Sequence, residues 1–328
     1  MNIPQIIKYL EGLKLPNFRQ KQILKNYYSG RFKNFSQMSD LPKDLRSHLD
    51  EKFSLLSVSE INLQKGTDTQ KVALKLTDDF AIESVLMDYD QWITACVSSQ
   101  VGCPLNCSFC ATGKMGFKRN LSSEEIVDQI LYWNSQIFPK YIGRIVFMGM
   151  GEPFLNWDNV LEAIKIIKDE LNIGSRKISI STAGVIPQIY EFANLDTEIN
   201  LAISLHASNQ FSREKIMPIS KQYSFEDLIK SLNYYTSHTR RQLFLEYALI
   251  KDVNDSDENL SELITLLKSN NLFYLNLIPL NPIKGGLDPS PKIKIFTDAL
   301  TKAHLNFSLR QSFGQSINSA CGQLITGI

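Results

Sequence analysis

Five cysteines are the residues best suited to do chemistry in this sequence, and four of them lie between Cys96 and Cys110. Cys103, Cys107 and Cys110 form a C-x3-C-x2-C loop, whereas Cys321 lies close to the C-terminal end. Three thiolates at this spacing can bind three irons of a 4Fe–4S cluster and leave the fourth iron open to a substrate or cofactor. The spacing therefore predicts a cluster that does more than transfer electrons.

A structural zinc ion is the main alternative for these cysteines, with Cys96 or Cys321 as the fourth ligand. Zinc knuckles favour paired C-x2-C units, and the chain has one such pair, so the spacing favours iron–sulfur. A disulfide framework is less expected still. The first residues lack a basic region followed by an apolar run, and no apolar stretch reaches membrane-spanning length. We therefore expect a cytosolic protein with no membrane partner, in which thiols stay reduced.

The composition suits one large α/β domain with an appendage, because 328 residues with 43% hydrophobic side chains can bury a sizeable core. The net charge of +1 does not indicate a polyanionic partner, but the charges are unevenly distributed. Residues 1–52 hold ten basic and five acidic side chains, with aromatic residues interleaved among the basic ones. This mixture predicts a nucleic-acid-binding module. A solvated helical surface with aromatic core residues accounts for the same composition.

The hydrophobic pattern changes along the chain from helices to strands and then to alternating strands and helices. Short amphipathic helices are predicted up to about residue 55, and alternation between residues 56 and 90 predicts a few strands of a small sheet. Glu83 lies in one of these strands, where an acid usually faces solvent. Six continuous apolar runs then predict buried parallel strands: Trp92 to Ser98, Arg144 to Met148, Lys177 to Thr182, Ile199 to Leu205, Leu243 to Ile250 and Phe273 to Leu280. Helices are predicted between them: Ser122 to Trp133, Asp158 to Glu170, Phe225 to Thr236, Asp257 to Lys268 and Lys292 to His304.

Six βα units predict an α/β fold, a partial and laterally open (βα)6 barrel, whose active site collects at the C-terminal ends of the strands. The cysteine loop follows the first strand. Gly151 and Glu152 follow the second, where glycine permits close approach of the backbone to a ligand and glutamate can pair with an ammonium group. The later strand ends carry Ser181, the Ser204-Leu205-His206 run and Asn281. Each fragment alone is typical of an ordinary turn or, for His206, of a buried core histidine, but together they predict a small-molecule site.

Longer stretches surround these residues: Cys96 to Cys110, Phe109 to Gly113, Gly116 to Leu121, Phe147 to Pro153, Ser204 to Ala207, Leu277 to Pro282 and Ala320 to Leu324. From Glu83 to Leu324 the chain resembles the RlmN/Cfr family of radical S-adenosylmethionine (SAM) RNA adenine methyltransferases. The resemblance implies a radical SAM barrel at residues 89–316. An N-terminal helical RNA-binding domain at 1–55 and a β linker at 56–88 would precede it, and a C-terminal segment at 317–328 would follow.

The resemblance also implies a role for each site residue. Cys103, Cys107 and Cys110 would hold one 4Fe–4S cluster whose open iron binds SAM. Further SAM contacts would come from Gly151, Glu152, Ser181, Ser204, Leu205, His206 and Asn281. Cys321 would carry a methyl group, Cys96 would resolve a covalent intermediate, and Glu83 would accept a proton.

The implied reaction is radical methylation of adenine. Carbon 2 of adenine is electron-poor, so it cannot attack the methyl group of SAM as an amine would. In the family's route one SAM methylates Cys321, and a 5′-deoxyadenosyl radical from a second SAM takes a hydrogen atom from that methyl group. The carbon radical adds to adenine. The thiolate of Cys96 then attacks the sulfur of Cys321, which releases methylated RNA and leaves a disulfide.

The implied substrates are 23S rRNA, at an adenosine of the peptidyl-transferase centre, and tRNA, at the adenosine 3′ of the anticodon. A flavodoxin or ferredoxin would donate electrons to the enzyme, which is expected to be a cytoplasmic monomer. Lys114, Lys118 and Arg119 would either hold RNA phosphates or belong to a solvated loop.

Two alternatives remain open from the sequence. One is the carbon-8 methyltransferase of the same family: Val101 and Pro153 match the carbon-2 branch, whereas Phe313, Gly314 and Ser316 depart from it. The other, from a different class, is a non-catalytic RNA-binding protein stabilised by zinc.

Overall fold

Three N-terminal helices pack their apolar sides into one core. The computed structural model describes residues 3–13, 15–283, 285–310, 317 and 319–324. The helices are α1 (Ile3–Gly12), α2 (Asn17–Tyr28) and α3 (Lys43–Lys52), and prolines directly precede α2 and α3. Proline is tolerated at a helix start because its missing N–H has no partner to lose there. The predicted amphipathic helices are confirmed by the burial of Ile6, Leu10, Ile23, Tyr27, Leu45 and Leu49.

The next strands belong to the main sheet. β1 (Val58–Lys65), β2 (Thr69–Leu76), β3 (Ala81–Tyr89) and β4 (Trp92–Cys96) pair in that order, all antiparallel. The prediction of a separate small sheet is wrong, because β3 pairs with β4, which is the first barrel strand. Both faces of β3 are covered from residue 81 to 86, and Glu83 is only 5% exposed. The interpretation of Glu83 as a solvent-facing strand acid is therefore also wrong.

A two-stranded sheet brackets the cysteine loop. β5 (Gln100–Gly102) and β6 (Phe117–Asn120) pair antiparallel, and the single-turn helix α4 (Ala111–Lys114) lies between them in the chain. Gly102 has a φ of +73°, and a Cβ there would lie 1.8 Å from the carbonyl oxygen of Gly116. Only glycine permits this crossing of the two chain segments.

Parallel strands complete the sheet. They are β7 (Arg144–Phe147), β8 (Ile178–Thr182), β9 (Asn200–Ser204), β10 (Leu243–Leu249), β11 (Phe273–Pro279) and β12 (Phe307–Leu309). The described strands run in one open order, β1-β2-β3-β4-β7-β8-β9-β10-β11-β12, and every pair from β4 to β12 is parallel. All six predicted barrel strands are present to within two residues, so the open α/β barrel is confirmed. The short strand β12 was not predicted.

Helices connect the parallel strands. They are α5 (Ser123–Ile137), α6 (Trp157–Asp169), α7 (Ile186–Ala193), α8 (Gln210–Ile216), α9 (Phe225–Thr239), α10 (Asp257–Ser269) and α11 (Ile293–Lys302). The predicted capping box opens α5, where Ser122 and Glu125 bond reciprocally. The sequence analysis missed α7 and α8, because each is only two turns long and its hydrophobic period is correspondingly weak.

The N-terminal helices are joined to the barrel through α5. Asp128 is fully buried, and its carboxylate accepts hydrogen bonds from the backbone and hydroxyl of Ser57, both at 2.6 Å, and from the hydroxyl of Tyr27. Burial and the neighbouring Asp128 both raise the pKa of Tyr27, so this phenol stays a donor. None of the described helices is long and apolar enough to cross a membrane.

Candidate active site

The three clustered cysteines lie at the C-terminal end of the barrel and face one space. Cys103, Cys107 and Cys110 line a solvent-open cavity, called here the large cavity, whose empty volume is about 1050 Å³ with the adjoining solvent included. The loop is held by its own backbone: the N–H of Cys103 donates to Gly116 at 3.0 Å and that of Cys110 to Cys107 at 3.1 Å. Both bonds help to keep the three thiols on the inner side of the loop.

The chemistry of these thiols fits a metal cluster. Burial raises the pKa of Cys103 to about 12, and it raises the pKa of Cys107 and Cys110 as well. The thiols therefore stay protonated unless a cationic centre stabilises the thiolates. Three thiols from one loop that face one cavity are a suitable donor set for a 4Fe–4S cluster. In the described ranges, no three cysteine, histidine or acidic side chains are close enough together to hold a single metal ion.

Residues from successive strand ends surround the same cavity. Its lining includes six of the seven predicted SAM-contact residues: Gly151, Glu152, Ser181, Ser204, His206 and Asn281. The seventh, Leu205, is fully buried and does not belong to the described lining. Gly151 has a φ of +100°, and a Cβ there would lie 2.6 Å from Gln100, so glycine is required at this wall of the cavity.

Glu152 is held by the backbone. Its carboxylate accepts N–H bonds from Phe154 at 3.0 Å and from Ala183 at 2.8 Å, so one side chain joins the ends of β7 and β8. Burial raises the pKa of Glu152 to about 7, against the opposing effect of these hydrogen bonds. A cation in the large cavity would favour the charged form of this carboxylate.

His206 is both satisfied by the backbone and exposed to the cavity. Its Nδ1 accepts the N–H of Ala248 at 3.0 Å, so the ring proton sits on Nε2. Burial lowers the pKa of His206 to about 3, which keeps the ring neutral. The ring of Phe109, from the cysteine loop, meets it edge-on at 4.7 Å. The core-histidine interpretation and the cavity interpretation therefore both describe this residue.

The turn that carries Cys321 is fastened to the cysteine loop and to the end of β11. The Ala111 N–H donates to Gly322 at 2.8 Å, and the Thr112 hydroxyl donates to Leu324 at 2.7 Å. Asn281 donates through Nδ2 to the carbonyl oxygen of Cys321 at 3.3 Å. A cysteine near the end of the sequence is thereby brought to the mouth of the barrel. Phe313, Gly314 and Ser316, which depart from the carbon-2 pattern, lie outside the described residues.

Cys96 and Cys321 share a second cavity. It adjoins the large one and is lined by both thiols together with Tyr89, Met148 and Arg310, among others; we call it the small cavity. Cys96 is buried at the end of β4, whereas Cys321 is exposed, and both are free thiols. Burial raises the pKa of Cys96 to about 12, and Cys321 adds to the rise, while Arg310 opposes it. Cys96 is thus a thiol in this state and needs a base or a change of surroundings to react as a thiolate.

Glu83 lies close by in the sheet but is paired elsewhere. It is on the same face of β3 as Val85, which is the cross-strand partner of Cys96. Its carboxylate forms an ion pair with Lys71 of β2 at 3.0 Å, and both side chains are less than a tenth exposed. Among the residues described as lining the two cavities, Glu83 is absent.

Comparison with known proteins agrees with this geometry. Residues 97–264 match the family model of the radical SAM superfamily, and residues 1–55 match that of the ribosomal RNA large subunit methyltransferase N-terminal domain. A protein of Dictyoglomus thermophilum named probable dual-specificity RNA methyltransferase RlmN is 42% identical and covers 98% of this chain and 94% of its own. A protein of the same name from Listeria welshimeri is 39% identical over 98% and 90% of the two chains.

The chain belongs to the RlmN/Cfr family of radical SAM RNA methyltransferases. A solved structure supports the same conclusion at the level of the fold. The crystal structure of a radical SAM methyltransferase from Sphaerobacter thermophilus superposes with a TM-score of 0.90 at 35% identity, covering 99% of this chain and 97% of the other. The protein is accordingly a radical SAM enzyme, and membership of that superfamily implies SAM and a 4Fe–4S cluster.

The sequence analysis missed a polar network in this radical SAM barrel. Arg310 lines both cavities, and its guanidinium pairs with Glu246 at 3.1 Å. Asn276 donates to Glu246 at 2.8 Å and accepts from the hydroxyl of Ser308 at 2.7 Å. Glu246, Asn276 and Ser308 are aligned in register across β10, β11 and β12. Glu246 and Asn276 could have been singled out from the sequence, because each is a polar residue inside an otherwise apolar strand. Buried polar side chains need partners, so such residues indicate a polar network.

A second missed residue is Arg213 on α8. Its side chain is fully buried and hydrogen-bonds to the carbonyl oxygens of Ala183, Ser204 and Leu205. These carbonyls belong to the last residue of β9 and to the segments that follow β8 and β9. Since α8 was not predicted, the sequence had no element on which to place this guanidinium.

Arg119 is engaged within the protein. Its guanidinium lies 2.5 Å from a carboxylate oxygen of Asp78 and 2.8 Å from one of Glu125, so it ties β6 to α5 and to the β2–β3 turn. Lys114 donates to the carbonyl oxygen of Gly285 at 3.3 Å, and Lys118 is exposed. Arg119 is one of the three predicted phosphate contacts, but its charge is already neutralised by Asp78 and Glu125.

Proposed function

We propose that the protein methylates carbon 2 of adenosine in RNA, through a methylated Cys321 and a covalent intermediate that Cys96 resolves. The observation that carries this proposal is that Cys96 and Cys321 line one cavity, next to the cavity lined by the three clustered cysteines. The substrates would be an adenosine in the peptidyl-transferase centre of 23S rRNA and the adenosine 3′ of the anticodon in tRNA. The curated relatives are named as probable dual-specificity RNA methyltransferases, which supports RNA as the substrate.

The large cavity is the proposed site of SAM and of the cluster. Cys103, Cys107 and Cys110 would hold the cluster and leave one iron without a protein ligand, so that SAM could bind beside it. When bound and reduced, the cluster supplies the electron that cleaves SAM to a 5′-deoxyadenosyl radical. The cavity wall at Gly151 leaves room for the ligand, while Glu152 and Ser181 present polar groups at the ends of β7 and β8.

Cys321 and Cys96 would form the covalent bonds of the reaction. The thiolate of Cys321 takes the methyl group of a first SAM, and the methyl carbon is later joined to the adenine after losing a hydrogen atom. After the methylene radical has added to carbon 2, the adduct radical would give up one electron to the oxidised cluster, and Glu83 would accept the proton from carbon 2, which requires the Lys71 ion pair to rearrange. Cys96 would then attack the sulfur of Cys321, the carbon–sulfur bond would break, and the released methylene carbon would take up a proton, so the methylated product leaves and a disulfide joins the two cysteines. A reductant must restore both thiols before the next turnover.

RNA binding is proposed for the N-terminal domain, residues 1–55. Lys21, Lys25 and Arg31 line a shallow groove on its surface together with Phe18, which is 57% exposed. A basic groove with an exposed aromatic side chain suits phosphates and an unpaired base. Lys114 and Lys118 extend basic charge towards the cavity mouth.

The proposal extends to the compartment, oligomeric state and electron donor of the enzyme. We infer a cytoplasmic monomer that receives electrons from a flavodoxin or ferredoxin, because RNA modification and low-potential donors occur in that compartment. The β linker at 56–88 and the C-terminal segment at 317–328 would position Glu83 and Cys321, respectively, against the barrel at 89–316.

The modified-base profile of 23S rRNA tests the reaction. Ribosomal RNA from a strain that lacks this protein is digested and analysed by mass spectrometry against the parent strain. Loss of 2-methyladenosine is expected. Loss of 8-methyladenosine instead would identify the carbon-8 activity, and an unchanged profile would exclude 23S rRNA as the substrate.

Anaerobic reconstitution tests the alternative of a non-catalytic zinc protein. A chain that binds four irons, turns brown and cleaves SAM under reduction supports the enzyme. A colourless chain that retains one zinc ion and leaves SAM intact contradicts it.

A further inference from the structure

Arg213 is a buried cation that has no acidic partner among the described residues. It is 0% exposed, and its guanidinium donates to the carbonyl oxygens of Leu205 at 3.1 Å, Ala183 at 2.6 Å and Ser204 at 3.1 Å, and to the hydroxyl of Ser220 at 3.0 Å. All four acceptors are neutral. In the part of the chain that the structure describes, no carboxylate oxygen lies within 4.0 Å of this guanidinium.

This side chain keeps its charge at neutral pH. Burial lowers the pKa of Arg213 only to about 10, and the neighbouring Cys107 opposes the fall. A charge in the interior is costly unless an opposite charge compensates it. The hydrogen bonds satisfy the donors of the guanidinium but leave its charge without a counter-ion.

The cysteine loop lies against the helix that carries this charge. Ser108, next to Cys107, donates its N–H to the carbonyl oxygen of Ile216 at 2.9 Å, one helical turn beyond Arg213. Two of the carbonyl groups that hold Arg213 belong to Ala183 and Ser204, which line the large cavity together with Cys107. The positive charge of Arg213 therefore lies at the wall of the large cavity, on the helix that contacts the segment carrying Cys107.

We propose that Arg213 is a positioning residue whose fixed positive charge is the internal counter-ion of the cluster and raises its midpoint potential. The inference rests on the proposed ligation of the cluster by Cys103, Cys107 and Cys110. An oxidised 4Fe–4S cluster with three thiolates carries one net negative charge, and one-electron reduction adds a second. A nearby cation stabilises the reduced form more, because potentials of such clusters depend on net charge, hydrogen bonds and burial.

A redox titration followed by electron paramagnetic resonance tests this role on the reconstituted full chain. Arg213→Gln should move the midpoint to a more negative potential by at least a tenfold change in the reduction equilibrium, about 59 mV for a one-electron couple. Arg213→Lys, which keeps the charge, should stay near the parent. Arg176→Gln is the matched control, since Arg176 is exposed, pairs with Glu198 and lies before β8, at the opposite end of the barrel.

A second pair of variants leaves Arg213 in place. Ser220 is 1% exposed and contacts the guanidinium, so Ser220→Asp would supply the missing counter-ion, whereas Ser220→Asn has the same shape without charge. The Asp variant should reduce at a more negative potential than the Asn variant. Equal potentials in these two, or equal shifts in Arg213→Gln and Arg213→Lys, would overturn the proposal.

Iron analysis separates this inference from the proposed function. If the parent chain binds no iron, the proposed ligation fails. If the parent and the variants bind equal iron and titrate at one potential, the ligation stands and the role of Arg213 is refuted.

Discussion

Cys96 and Cys321 differ in exposure in a way that suits their proposed roles. Cys321 is exposed at the cavity mouth, where a methyl donor and RNA can reach it, whereas Cys96 is buried behind it. A buried thiol with a raised pKa is a poor nucleophile until its surroundings change. In the proposed reaction, Cys96 would therefore attack only after the covalent intermediate has changed its surroundings.

The division of labour between the two cysteines predicts different trapped states. Cys96→Ala should accumulate RNA covalently bound to the protein, because the adduct on Cys321 cannot be resolved. Cys321→Ala should accumulate none, because no methyl group is carried. Denaturing gel electrophoresis of labelled RNA with each variant measures the adduct. Equal absence of adduct in both variants would refute the assigned roles.

His206 makes the stability of the cluster-free chain depend on pH. Its pKa is about 3 in the folded state and near 6.5 when unfolded, so the unfolded chain binds more protons between these values. The contribution is present above pH 6.5 and is lost as the pH falls towards 3. It amounts to roughly 3–5 kcal/mol if the whole shift is realised.

His206→Asn should lack this pH-dependent loss. The free energy of unfolding from chemical denaturation at pH 7.5, 6 and 5 should fall more steeply with acidity in the parent than in the variant. His304→Asn is the control, because His304 is exposed and both positions have a positive φ, which asparagine tolerates. Parallel pH profiles for the parent and His206→Asn would show that His206 is not held neutral.

At the scale of elements, β2 and β3 share a buried ion pair that the hydrophobic pattern did not reveal. Lys71 and Glu83 lie diagonally across the two strands and are both covered. A buried ion pair adds little net stability compared with apolar residues, but loss of one partner is costly. The pair therefore holds the carboxylate of Glu83 in place within the sheet.

Lys71→Met should destabilise the chain by about 3–5 kcal/mol, because the carboxylate of Glu83 loses its ion pair in a buried site. Lys71→Met combined with Glu83→Leu should recover most of that loss. Chemical denaturation of the three variants measures both effects. Lys75→Met, in the same strand but half exposed, should cost less than about 1 kcal/mol. A cost for Lys71→Met as small as that for Lys75→Met would contradict this account.

At the scale of the whole molecule, a basic helical domain is fixed to a barrel whose cavity mouth holds the thiols. The buried contact of Tyr27 and Ser57 with Asp128 fastens the domain through α5. In the proposed function, RNA affinity would come from the groove and SAM chemistry from the large cavity, so the two could be altered separately.

Lys21→Gln with Lys25→Gln should weaken RNA binding and leave RNA-independent SAM cleavage unchanged. Each lost phosphate contact lowers the slope of log affinity against log salt by about 0.7–0.9, so the slope should fall by roughly one to two. Filter binding across a salt series measures it. The control is Lys165→Gln with Lys168→Gln on α6, both exposed. Equal slopes in the two double variants would remove the groove from the RNA interface.

The sequence alone determined those features that depend on residues close together in the chain. Cysteine spacing, strand and helix periodicity and the capping box at Ser122 depend on neighbours within a few residues, so the six barrel strands and the cysteine loop were predictable. The resemblance to a family added the roles of Cys96 and Cys321, which no local pattern distinguishes from metal ligands.

Only the tertiary structure decided burial and long-range contact. Packing of both faces of β3 buried Glu83, the turn at Gly322 brought Cys321 beside a cysteine far away in the chain, and α8 placed Arg213 against the carbonyl groups of Ala183 and Ser204 at the cavity wall. The physical reason is common to all three. Desolvation and charge depend on which distant segments cover a side chain, and the sequence around that side chain does not specify them.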